Sequence, residues 1–131
     1  MKKHFTLLVV SFAALWLAPQ TIFSQTQKAN WKEMHDFHEV MSTTFHPAEE
    51  GNLAPLREKA GLLVERAEAW KKSAVPAGYI PEKTADTLKR LVKQCKNVRK
   101  AVKKGKPDAE LVAAITTAHD IFHEIMEKCR E

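Results

Sequence analysis

The side chains best suited to chemistry in this chain are two pairs of histidines, His35 with His38 and His119 with His123. Imidazole is the commonest side-chain metal ligand and is costly to bury without a partner. The i, i+3 spacing of the first pair and the i, i+4 spacing of the second put each pair on one face of a helix. If those helices run antiparallel, the pairs meet at about the same depth. Three or four ring nitrogens can then share one ion at about 2.0–2.1 Å, the zinc–imidazole distance. Zinc, copper and nickel all suit such a set, and ligand type alone does not choose among them. His38 and His119 lead because the helical pattern puts them at core positions, with His35 and His123 nearer the seam edge. His46, just before Pro47, reads as a loop residue more than two turns away, joining only if the first helix breaks early and folds back.

Four amphipathic stretches must position these groups. The first runs from about Lys28 to Thr44, with Trp31, Met34, His38, Met41 and Phe45 recurring at steps of three and four. Pro47 is expected to block its continuation. Asn52 can cap the second helix, which tolerates Pro55 in its first turn, buries Leu56, Ala60, Leu63, Ala67 and Trp70, and ends near Ser73. Val75 to Pro81 is a connector. The third helix runs from about Glu82 to Lys104 over Thr84, Leu88, Leu91, Cys95, Val98 and Val102, and Gly105 stops it. The fourth starts at Pro107-Asp108 and carries Val112, Ile115, His119, Phe122, Met126 and Cys129, flanked by Leu111, Ala118 and Ile125. No stretch has the period of two expected of strands. The fold class predicted is all-α, an antiparallel up-down-up-down four-helix bundle. Counting about 1.5 Å per residue from the turns puts His119 near the level of residue 35 and Cys95 near it too. Cys129 then lies roughly 15 Å from Cys95 along the axis, so no bridge is expected.

The ends and the charge set the context. Lys2 and Lys3 followed by the apolar run Thr6 to Leu17 read as a signal peptide cleaved near Ser24-Gln25, too short for the roughly 20 residues of a membrane span. Residues 1–24 are thus assigned to the leader and 25–131 to one domain, with a periplasmic or secreted location. Loss of Lys2 and Lys3 takes the formal net charge from +5 to +3. The remaining lysines, as in Lys103-Lys104-Gly105-Lys106, read as a solubilising surface. No aromatic-interleaved basic groove accompanies them, so nucleic acid is not an expected partner. Neither is a membrane once the leader is gone. A metal ion is the expected partner, and a homodimer stays open.

In helix order, size and placement of a histidine on the last helix, nearly the whole mature chain resembles the exported cytochrome b562 and cytochrome c-prime bundles. That resemblance implies a haem between the first and last helices. The c-prime attachment motif is absent, since the matching region reads Ala118-His119-Asp120-Ile121-Phe122-His123 without paired cysteines. The alternative it leaves is non-covalent haem held by Met34 with His123 or His119, a ligand pair used for haem iron.

Enzyme chemistry has thinner support. Asp36, Glu39, Asp120 and Glu124 stand beside the histidines and could orient imidazoles or act as bases. They are equally what a solvated helix face carries. The His119 pair lacks the glutamate after its first histidine that marks zinc-protease helices. No Glu-x-x-His unit of a di-iron bundle is present, and no nucleophile–base pair stands out. The bland rival is a cofactor-free structural or protein-binding bundle.

Overall fold

The computed structural model describes residues 30–131. The expected leader, its cleavage point and the expected helix start near Lys28 lie outside these residues. The described residues form four helices, α1 (Lys32–Glu49), α2 (Ala54–Lys72), α3 (Pro81–Lys103) and α4 (Asp108–Lys128). α1 packs on α2 and α4, and α3 packs on the same two, so α1 and α3 are diagonal. The result is an all-α four-helix bundle. Contacts join the start of α1 to the end of α2, where Trp31 Nε1 donates to Ser73 Oγ at 2.8 Å. They also join the α2–α3 connector to the chain end, where Ile80 N donates to the Cys129 carbonyl at 2.8 Å. This is the order of contacts expected when successive helices reverse direction.

The α1 end differs from expectation. The helix runs through Pro47 to Glu49. Proline removes its own N–H from the ladder and its ring crowds the carbonyl four residues back, yet the helix continues, and the extra turn buries Phe45 and Ala48 at 4% and 1% exposure. Termination falls instead to Gly51, at φ 87°, a left-handed conformation that glycine adopts without a Cβ penalty. Gly51 N donates to the Ala48 carbonyl and Asn52 N to the Pro47 carbonyl, satisfying groups the helix end leaves open. Gly105 closes α3 in the same way, with φ 63° and bonds to Val102 and, through Lys106, to Ala101. Asn52 does serve the start of α2, its Oδ1 accepting from Ala54 N at 3.2 Å, although Leu53 occupies the cap position.

The core runs through all four helices and is aromatic at one end. Trp31, Phe37, Trp70, Tyr79 and Phe122 are buried with successive ring centroids 5.2–5.9 Å apart, in the range where edge and tilted pairs attract. The seam of α1 is Met34, Phe37, Met41, Thr44 and Ala48, with Val40 and Phe45 beside it. The expectation that His38 lies in the core is therefore corrected, because His38 is exposed and Phe37 takes that place. A phenyl ring gains from burial where an imidazole would lose its water. In α4 the buried residues are Leu111, Ile115, Ala118, Ile121, Phe122 and Ile125; the expected Ile115 and Phe122 are among them, whereas Val112, His119 and Met126 are half-buried at the edge of the core. Cys95 and Cys129 are both free and buried. Cys129 Sγ lies 3.6 Å from Thr87 Oγ1. Among the described residues no helix is long and apolar enough to cross a membrane.

Candidate functional site

The α1–α4 face gathers three imidazoles. His46 comes from the last turn of α1, which exists because Gly51 rather than Pro47 ends that helix. His119 and His123 come from successive turns of α4. Ring centroids of His46 and His119 are 6.3 Å apart and those of His119 and His123 are 4.5 Å apart, in edge-on arrangements of 69° and 65°. Phe45 lies flat on His119 at 3.8 Å and 13°, which fixes the plane of the central ring. His119 is half-buried, while His46 and His123 are exposed.

The electrostatics favour the neutral imidazole at the centre. Burial pushes the His119 pKa below the ordinary histidine value, and the adjacent His123 and His46 push in the same direction, against Asp120 and Glu49. A neutral ring keeps the lone pair that a metal needs. The outer two rings each have a carboxylate at Nδ1. Glu49 Oε2 lies 3.3 Å from His46 Nδ1, and Glu127 Oε1 lies 3.4 Å from His123 Nδ1. A carboxylate can only accept here, so these contacts favour the proton on Nδ1 and the lone pair on Nε2. Glu49 and Glu127 were not among the expected site residues. Their signal was the spacing, three and four residues after a histidine on the same helix.

The structure does not bring His35 and His38 together with the α4 pair as expected. His119 sits level with Phe45 and His46, not with residue 35. α4 is shifted along α1, and its first residue pairs with α2 through Arg57 and Asp108 at 2.6 Å. His35 is exposed on α1, three turns from His46. His38 is also exposed and stacks on Phe122 at 5.2 Å and 7°, while Phe122 in turn abuts His123 at 5.5 Å. Met34 is buried in the other end of the bundle, its Sδ 4.0 Å from the Tyr79 hydroxyl. Of the carboxylates considered as bases, Asp36 pairs with Lys32 and Glu124 with Arg90. Glu39 and Asp120 are exposed.

Among the described residues, no group of three or more His, Cys, Asp and Glu side chains forms a cluster that could hold a metal ion as they stand. The three imidazoles are neighbours whose ring nitrogens do not converge on one point. No protein-family model, curated protein or solved structure matches the chain.

Proposed function

We propose that this protein binds a divalent transition-metal ion on its α1–α4 face through His46, His119 and His123, with zinc, copper and nickel as the ions its donors suit. The observation that carries this reading is the spacing of the three rings. With zinc–nitrogen bonds of about 2.1 Å and a tetrahedral angle, two coordinating imidazoles have centroids about 5 Å apart. The separations of 4.5 and 6.3 Å fall on either side of that value. His46 and His123 are exposed, so their χ angles can move between staggered wells without displacing core atoms. His119, clamped by Phe45, supplies the fixed ligand on which the other two close.

Three protein ligands leave a further coordination position for water or a second donor. Such an open surface site suits reversible capture of an ion, and the leader expected at residues 1–24 would put that capture in the periplasm or outside the cell. α1 and α4 also supply a favourable field. α1 carries one lysine against four carboxylates, and α4 one lysine against five. Haem fits this face less well than an ion does. The rings of Phe37 and Phe122 meet between α1 and α4, and Met34 lies with Tyr79 rather than with a histidine.

Calorimetric titration with zinc, copper and nickel on untagged protein tests the reading. Close to one ion per chain is expected, with affinity lost on His119→Ala and His46→Ala and kept on His35→Ala. Binding should weaken as pH falls through the histidine range, because protons compete for the same lone pairs. Absence of stoichiometric binding, or loss on His35→Ala with none on His119→Ala, refutes the site. A stoichiometric haem spectrum on titration would favour the cytochrome-like alternative instead.

A further inference from the structure

The strongest charge feature lies on the opposite side of the bundle. α3 carries eight lysines and arginines against two carboxylates, both in its first two turns. From Asp86 to Asp108 no acidic residue intervenes. Within this stretch Lys89, Lys93, Lys96, Lys100 and Lys103 recur at steps of four, three, four and three, and all five are exposed. That spacing lines them along one face, away from the buried seam of Leu88, Leu91, Cys95 and Val98. The row is about 21 Å long at 1.5 Å per residue. Lys96 pairs with Glu68 at 2.9 Å, whereas Lys89, Lys93, Lys100 and Lys103 make no ion pair among the described residues.

We propose that this lysine row on α3 docks the protein onto the surface of an anionic phospholipid bilayer. A straight row of this length needs an extended anionic partner rather than a small ion. Lysine ammoniums are point charges on flexible stems, without the bidentate fork that arginine offers a fixed phosphate. They suit a plane of laterally mobile headgroups. The only large apolar side chain exposed among the described residues is Ile80, before α3 begins. The row therefore has neither the aromatic platform that binds single-stranded nucleic acid nor an apolar anchor of the kind that dominates protein interfaces. A bilayer surface requires neither. The sequence expectation of no membrane partner weighs a cleaved, apolar leader; attraction to a charged surface is a separate term and needs no apolar span. Because α1 is diagonal to α3, docking through α3 would turn α1 and its His46 away from the bilayer.

The test is co-sedimentation of the full chain with vesicles of phosphatidylcholine alone or mixed with phosphatidylglycerol. The N-terminal segment is then common to every sample. Partitioning onto the anionic vesicles should exceed that onto neutral ones by about tenfold or more, and should fall with added salt as the field is screened. Lys93→Gln/Lys100→Gln/Lys103→Gln should lose most of this excess, while Lys71→Gln/Lys72→Gln on α2 should keep it, with circular dichroism verifying that both variants are helical. Equal partitioning onto both vesicle types overturns the proposal, as does an unchanged excess in the α3 variant. Preference for a DNA or RNA oligonucleotide over the anionic vesicles, lost in the same variant, overturns it in favour of nucleic acid. Neither outcome depends on the histidine face.

Discussion

Replacing Phe37 and His38 in turn separates two registers of α1 by a large margin. Phe37 is fully buried and packs on Trp70 at 5.4 Å and Phe122 at 5.9 Å. Truncating a buried phenylalanine removes its transfer free energy and leaves a cavity among rings that cannot fully collapse, at a cost of about 3–5 kcal/mol. For a domain of this size each kcal/mol lowers the melting temperature by about 4–8 °C, so Phe37→Ala should melt about 12 °C or more below wild type. That loss is a large share of the 5–15 kcal/mol typical of folded domains. His38 is exposed and touches the core only by stacking on Phe122. Its alanine variant should stay within about 0.5 kcal/mol of wild type, the usual range for surface positions. Thermal and urea unfolding followed by circular dichroism, in buffer with a chelator, would measure both. If His38→Ala cost as much as Phe37→Ala, the helix would be rotated towards the sequence-derived seam and the grouping of His46 with His119 would lose its basis.

Two further outcomes follow from individual side chains. Burial pushes the Cys95 thiol up to about 12, so a thiol reagent at neutral pH should leave Cys95 unlabelled in folded protein and label it on unfolding; rapid labelling of the native state, read by mass spectrometry of the peptide, would contradict its placement. His119 has a folded pKa below its unfolded value of about 6.5, so between those values the unfolded chain binds more protons and metal-free stability falls as pH drops. His119→Gln should remove that contribution and gain on wild type as pH is lowered from about 7 towards 5, a difference read from paired urea curves; parallel pH profiles would show that His119 is not held neutral.

Much of the bundle was legible because amphipathic periodicity is local. Steps of three and four in Leu56–Trp70 and Thr84–Val98 mark the buried faces of α2 and α3, and Gly105 marks a helix end by its conformational freedom. Two local signals compete at the end of α1, Pro47 and Gly51, and the glycine wins. Pro47 costs a backbone bond and crowds the preceding turn, yet the helix runs past it and buries Phe45 and Ala48, whereas Gly51 supplies the left-handed residue that closes the helix. Which of two adjacent residues faces inward was less legible still. His38 and Phe37 differ by 100° around α1, and both fit a step of three or four from Met34 or Met41. The greater gain from burying a phenyl ring than an imidazole favours Phe37, and its packing on Trp70 and Phe122 shows that choice made. That residues 30–131 form helices with particular buried faces follows from local sequence, since it depends on neighbours within a turn or two. The axial offset of α4 against α1 was decided by tertiary structure, because it depends on how side chains from separate helices interlock. A shift of two or three turns changes no residue's local pattern, yet it determines that His119 meets His46 and Phe45 rather than His35.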